Sequence, residues 1–509
     1  MSGLNTNVPV VILMLAGFVA LNLIAVKVYH KPQKDMGTYA VGDRKMPWFF
    51  VCFTYMGGWY VGSTYTGWVG NSVDIGLFAQ YLAIYGLAGT LFLYILARPV
   101  WSWGKFYELE TPSDFMALRY DSKPFGKFYS IFMLIVDGSW LVIEIITLAY
   151  ICNLASNGAM SMMTGIWVGG IIVGLYTTLG GVNASAITSV IQGFFFVVVG
   201  SCLFIYLMYK SYGGFVPLYT MLEASKPELI YVPKEGGVQM LWMTSIITGV
   251  LGTMAWPTGF QRLYLSSSPR ETKKTIYVAP ICCIVVCFLI LAPAMGVSLL
   301  PDAPADSQVA AFWLANKYSG AVALGLVSIF AGAAAMSTIS AVANCISIPF
   351  AKDILAPMFR KASVITLSKI TTVVVFLIAM AIASIDIPQL NFFAIIMYGF
   401  VCQCIVPIVG GVFWKKGNKI GAWAGMIVGC VCALLQNLTS VFDTTLLGGV
   451  IIGIIANAVI FIICGFVFGK QKHVDEMFEV LKLYDNDGEF FPEENPDLAA
   501  KASGVQTGV

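Results

Sequence analysis

In the apolar run IFMLIVDGSWLVIEIITL (131–148), Asp137, Trp140 and Glu144 are spaced by three and four positions, so a helix brings them to one face. Ionisable side chains inside a membrane-length segment are costly and are functional candidates by default. An acid beside an indole suits a desolvated cationic ligand, through charge and ring quadrupole together. The structural alternative is that either acid simply bonds a neighbouring helix. A second cluster lies in FAGAAAMSTISAVANCISIPFAKDI (330–354), where Ser337 and Thr338 are adjacent hydroxyls and Ala334 precedes Thr338 by one turn. Two hydroxyls and a few unpaired carbonyls would offer a sodium ion hard oxygens without a formal negative charge. The alternative is a tightly packed helix whose hydroxyls bond back to the preceding turn.

The elements that must position these groups are unusual. TYMGGWYVGSTYTGWVG (54–70) and TGVLGTMAWPTGFQRLY (248–264) carry glycines, hydroxyls and, in the second, a proline within membrane-length runs. One such segment can be explained by close helix packing through glycine. Two at corresponding positions point to the interrupted helices of an inverted-repeat secondary transporter, which expose carbonyls and helix ends at the bilayer midplane. Such groups are tolerated in lipid only around a cavity, an ion or a solute. The two segments open the second and seventh spans, so each would begin a five-helix repeat after one extra N-terminal helix.

The bulk composition agrees. The chain has 509 residues, of which 58% are hydrophobic and 11% charged, and its mean hydropathy is +0.81. A soluble chain would carry about a quarter charged residues. Apolar runs of bilayer length recur, giving an all-α polytopic membrane protein with about 13 spans. Its expected divisions are 1–45 (extra helix and basic loop), 46–210 (first repeat), 211–237 (extracytoplasmic loop with a short surface helix), 238–416 (second repeat), 417–470 (two further helices) and 471–509 (tail). Basic residues such as Lys27, Lys31, Lys34, Arg44, Lys45, Arg119, Arg270, Lys415 and Lys470 fall in alternate loops. The positive-inside rule then places the N-terminus outside and the C-terminus in the cytoplasm of a plasma or inner membrane. The first span lacks a basic lead and a small-residue cleavage site, and reads as an uncleaved helix rather than a signal peptide.

Other functions find little support. The 12 cysteines lie in spans without metal or redox spacing, as small hydrophobes do. His30 and His473, the only histidines, form no metal or triad pattern, so the chain is not expected to be an enzyme. A formal charge of +2 gives no reason for nucleic-acid binding, and no obligate protein partner or organic cofactor is implied. In the tail, DEMFEVLKL reads as an amphipathic turn or two, and the acidic, proline-containing end beyond it as mostly disordered. DNDGEFFPEE has calcium-loop character, but Leu483 stands where the first ligand belongs. The sequon at Asn437 would face outside.

The chain resembles the sodium:solute symporter family over roughly residues 40–440, through GDRKMPW (42–48), LYTTLGGVNASAITSVIQG (175–193), FQRLYLSSSPRETKK (260–274) and AAAMSTIS (333–340). That resemblance implies a LeuT-like 5+5 inverted repeat with two extra C-terminal helices. It also implies Na+ as coupling ion, held by the carbonyls of Gly57, Tyr60 and Ala334 and the hydroxyls of Ser337 and Thr338. Many members read T-D-x-x-Q where this chain has Thr188, Ser189, Val190, Ile191 and Gln192. Without that carboxylate, one sodium per cycle is expected.

Within the family the chain is most similar to the high-affinity choline transporters. Their aromatic box would fall on Tyr55, Tyr85, Trp140 and Trp256, with Asp137 three residues before Trp140 and Tyr60 beside the solute. Tyr55 stands where those relatives have Trp, and Pro257 replaces a polar residue. The expected function is sodium-coupled import of a small polar solute, choline or a related quaternary amine, by alternating access. The alternatives are an amino-acid or carboxylate symporter (proline, pantothenate or monocarboxylate type) and, from a different class, a membrane solute sensor. A forty-residue tail is well below an ordinary signalling domain.

Overall fold

In the computed structural model, residues 8–29, 35–232, 237–385, 390–439, 441 and 447–507 are described. His30, Lys31 and Lys34 lie outside them, as do parts of two loops, 233–236 and 386–389. The described chain is all-helical, with two isolated β-bridges.

Among the described residues, eleven helices are long and apolar enough to cross a bilayer, against the thirteen expected. The difference arises where helices break or run on. The Trp48–Trp59 helix is 12 residues long and stops short of bilayer length. The continuous helical stretch Met162–Tyr212 has 51 residues, about 76 Å at 1.5 Å per residue, far more than one hydrocarbon core. It turns at Gly181, whose φ of 55° and ψ of −144° interrupt the helix. Only glycine adopts that conformation cheaply, and a Cβ there would lie 2.7 Å from the Tyr39 ring. Gly320 (φ 70°, ψ −162°) breaks Ala310–Phe350 in the same way.

The second part of that helix is the axis of the molecule. From Ala323 to Pro349 nearly every residue is buried, because alanine, serine and glycine let neighbouring backbones approach closely. It packs against Lys123–Ala155, Met162–Phe194 and Trp48–Trp59.

Two of the motifs quoted above meet in space. Met46 N–H donates to the Leu265 carbonyl at 3.2 Å, and Met46 and Ser266 form a parallel bridge. Trp101 Nε1 donates to the Ser266 carbonyl at 2.9 Å. Nearby, Lys352 pairs with Glu110 at 2.7 Å and Asp114 at 2.9 Å, while Arg44 reaches the Tyr264 carbonyl at 3.3 Å. These contacts tie the first interrupted helix to the second at one end.

The region 211–237 holds the expected short helix, Phe215–Ser225, although Ser211 still belongs to Gly200–Tyr212. The tail forms the amphipathic turns expected at DEMFEVLKL, and beyond them Pro496–Thr507 is helical where disorder was expected. Val474–Val480 is helical, and Val474, Met477, Val480 and Leu483 are buried. Trp103 Nε1 donates to the Met477 carbonyl, and Arg98 donates to the carbonyls of Leu481 and Tyr484. The apolar positions share one helical face, and a partner surface outweighs the tail's polar composition. In the acidic segment, Tyr484 and Phe490 pair across a turn rather than opening a calcium loop.

Arg119 is fully buried and donates to the carbonyls of Gly411 (2.6 Å), Trp414 (2.8 Å) and Gly417 (3.1 Å). A cation there satisfies the last carbonyls of the Ile405–Phe413 helix. Arg119→Met should cost about 3 kcal/mol, since it deprives the buried carbonyls of Gly411 and Gly417 of this donor. The expected outcome is a Tm in detergent lowered by several degrees, measured by intrinsic fluorescence.

Candidate functional site

The first interrupted helix ends where the glycines sit. Trp48–Trp59 stops at Tyr60 (φ −85°, ψ 99°), Val61 is extended, and a short 3-10 turn begins at Gly62. The Tyr60 N–H still bonds the Met56 carbonyl at 2.6 Å. Beyond it, the chain leaves the helical path, and the carbonyls of Gly57 and Tyr60 turn towards the Ala310–Phe350 helix.

There they meet Thr338. Its Oγ1 lies 3.0 Å from the Gly57 carbonyl, 3.4 Å from that of Tyr60 and 3.1 Å from that of Ala334. Three acceptors surround one hydroxyl, which has one proton to give. All of this is buried. Ser337 lies beside them, close enough that a Cβ on Gly57 would sit 1.8 Å from its Oγ. The Ser337 hydroxyl also pairs with Ser189 Oγ at 2.9 Å. The five residues named for sodium are therefore brought together, in an oxygen-rich, donor-poor cluster of the kind a hard cation suits. No group of three or more His, Cys, Asp or Glu that could hold a metal occurs among the described residues.

The second interrupted helix, Val238–Ala255, ends at Trp256 (φ −63°, ψ 124°) and resumes as Pro257–Arg262. Proline fits this first position because its missing N–H would be unpaired there anyway. The two breaks are neighbours: a Cβ on Gly58 would lie 3.3 Å from Thr258 Oγ1.

Between the breaks lies a cavity of about 60 Å³ lined by aromatic rings, among them Trp59, Trp68, Tyr85, Trp140, Trp256 and Tyr398, with Thr64 and Thr253 as polar groups. Trp140 meets Trp256 edge-on at 5.7 Å, and Trp256 meets Tyr398 at 5.7 Å. Glycines make room for the rings. A Cβ on Gly249 would fall 2.3 Å from the Tyr85 ring, and one on Gly252 would fall 2.5 Å from that of Tyr398. The space would hold roughly four waters, or a solute of a few heavy atoms.

Of the expected solute residues, Tyr85, Trp140 and Trp256 line this cavity, and Tyr55, Tyr60 and Asp137 do not. Tyr55 is buried with its hydroxyl on Thr90 Oγ1 at 2.8 Å. The Tyr60 ring stacks on Phe196 at 5.0 Å, because the break turns its carbonyl, not its ring, to the site. Asp137 is fully buried with neither oxygen hydrogen-bonded among the described residues. Glu144 is engaged: its Oε2 accepts the Gly62 N–H at 2.8 Å and its Oε1 the Ser63 N–H at 3.4 Å. Sequence reasoning missed Trp59, Trp68, Thr253 and Tyr398. Trp59 and Trp68 lie within the glycine-rich run itself, which was the available signal. Tyr398 lies in an ordinary apolar span and gave none.

Two interrupted helices closing on a cavity and an oxygen cluster are the layout of a secondary transporter. The chain belongs to the sodium:solute symporter family, whose model matches residues 39–429. It is 26% identical over 404 residues to a Bacillus subtilis symporter, covering 78% of this chain and 82% of the relative. It is 24% identical to the sodium/pantothenate symporter of Escherichia coli, covering 83% and 89%. Its fold matches a Na+-coupled sialic acid symporter in a substrate-bound outward-open state, with a TM-score of 0.75 at 18% identity, over 91% of this chain and 98% of that one. The protein is thus a multi-pass membrane transporter, not an enzyme.

Gly57→Ala should insert a methyl group into the Ser337 hydroxyl and displace the carbonyl cluster. The expected outcome is loss of sodium-dependent stabilisation in a thermal-shift assay while the protein remains monodisperse. An unchanged sodium response would remove Gly57 from the cluster.

Proposed function

We propose that this symporter couples one sodium ion to the import of a small organic cation of the quaternary-amine class, by alternating access. The ion is assigned to the carbonyls of Gly57, Tyr60 and Ala334 with the hydroxyls of Ser337 and Thr338, and the solute to the aromatic cavity. The observation that carries the ion assignment is the crowding of three carbonyls around the Thr338 hydroxyl. A single sodium is favoured because Ser189, beside Ser337, brings a neutral hydroxyl.

The cationic solute is supported by the rings of Trp59, Trp68, Tyr85, Trp140 and Trp256 and by a lining without charged side chains. A carboxylate would want a free cation or an exposed helix N-terminus. The amides at the first half-helix start already donate to Glu144. The second reading, a carboxylate solute, is favoured by the likeness to the sodium/pantothenate symporter. In either case the reading keeps the five-helix repeats at 46–210 and 238–416, the N-terminus outside and the C-terminus in the cytoplasm.

In proteoliposomes, a sodium gradient should drive uptake of labelled choline, and unlabelled choline or betaine should compete where proline, acetate and pantothenate do not. Competition by pantothenate or acetate alone would transfer the assignment to carboxylates. Thr338→Ala should raise the half-saturating sodium concentration about tenfold, the loss of one ligand's worth of interaction. Trp140→Ala and Trp256→Ala should instead raise the solute KM by about tenfold with sodium dependence retained.

A further inference from the structure

We infer that Glu144 is a positioning residue for sodium: its carboxylate holds the broken helix open in the geometry that aims the Gly57 and Tyr60 carbonyls at Thr338. The inference rests on the sodium assignment above. Glu144 sits on the Lys123–Ala155 helix, more than eighty positions from its partners, and is fully buried. Both of its oxygens are used on the backbone N–H groups of Gly62 and Ser63, the first two residues after the break. These amides have no helical carbonyl to bond, since the turn before them is unwound. An acceptor-only carboxylate answers both at once, and the bonds are charge-assisted.

The placement joins the two sides of the ion cluster. Gly62 lies between Glu144 and Ala335, since a Cβ on it would meet the Glu144 Oε2 at 2.9 Å and the Ala335 Cβ at 2.5 Å. Ala335 follows Ala334, whose carbonyl faces Thr338. Tyr60 is two residues before Gly62. Clamping Gly62 against Ala335 therefore fixes how far the Tyr60 carbonyl stands from the Ala310–Phe350 helix. No other side chain bonds the Gly62 and Ser63 amides among the described residues. Glutamine has the same shape but can turn an NH2 group towards these donors, and alanine leaves them unanswered.

The test is sodium titration of thermal stabilisation on the purified full chain in detergent, with potassium holding ionic strength constant and no solute present. Wild type, Thr338→Ala, Glu144→Gln and Glu144→Ala are compared. The expected result is a half-saturating sodium concentration raised about tenfold in Glu144→Gln, in line with loss of a charge-assisted bond. Potassium formate, a small carboxylate, should restore the Glu144→Ala curve towards wild type, and potassium chloride should not.

A structural role alone would lower the baseline Tm of both variants with the sodium midpoint unchanged, which overturns the inference. So does failure of both variants to fold. If Glu144→Ala alone fails to fold, the Glu144→Gln midpoint decides. A wild-type or Thr338→Ala curve without the expected sodium response sinks the sodium assignment itself, a result distinct from an unshifted Glu144 curve beside a shifted Thr338 one.

Discussion

A helix interrupted inside lipid exposes backbone groups that water cannot reach, and each must find a partner in the protein. The rest of this molecule can be understood as the answer to that demand at Tyr60–Val61. On one side of the break the freed groups are donors, at Gly62 and Ser63, and they are met by Glu144 from a neighbouring helix. On the other side they are acceptors, at Gly57 and Tyr60, and they are met by a single hydroxyl. Both of these donors are answered. The acceptor side is left with more lone pairs than protons, and this asymmetry is what makes room for a cation.

Both answers need close approach, and the composition of the partner helix supplies it. Alanine, serine and threonine from Ala331 to Ser340 let the broken segment sit against a backbone with no large side chain between. Gly57 is part of the same fit, because any larger residue would overlap Ser337. The same device recurs at the cavity, where Gly249 and Gly252 admit the rings of Tyr85 and Tyr398. Small residues here serve proximity of functional groups rather than packing alone.

Much of this was legible from the sequence, and unevenly so. The breaks were readable because glycine and proline in a membrane-length run contradict local helix preference, and such contradictions mark functional sites. One side of the oxygen cluster was readable from the spacing of Ala334, Ser337 and Thr338, while the Gly57 and Tyr60 carbonyls came from the family resemblance. Span counting was less secure. Helices that run on across Gly181 and Gly320, or stop at Trp59, do not divide by length. The aromatic lining was half legible: a residue's type says that it can face a solute, but the direction of a ring depends on how the break turns the chain. Tyr60 shows this, contributing its carbonyl where its ring was expected to serve as well. In the tail the amphipathic turns of DEMFEVLKL were legible, but not their partner, since Trp103 lies some 370 positions away; the helix at Pro496–Thr507 was hidden by its polar composition.

On the proposed assignment of the two sites, ion and solute are coupled without touching. Residues of the break alternate in their service: Gly57 and Tyr60 turn carbonyls to the ion cluster, while Gly58, Trp59 and Val61 line the cavity. A peptide unit cannot be ordered on one face and free on the other, because its two soft dihedrals are shared with its neighbours. An ion that fixes the carbonyls therefore fixes the cavity wall as well. By linkage, a solute that orders the wall favours the ion by the same factor. The size of that factor depends on how loose the break is when both are absent, and Glu144 limits this looseness from the donor side. Tight anchoring of the amides confines the motion left for sodium to quench to the short stretch between Gly57 and Gly62.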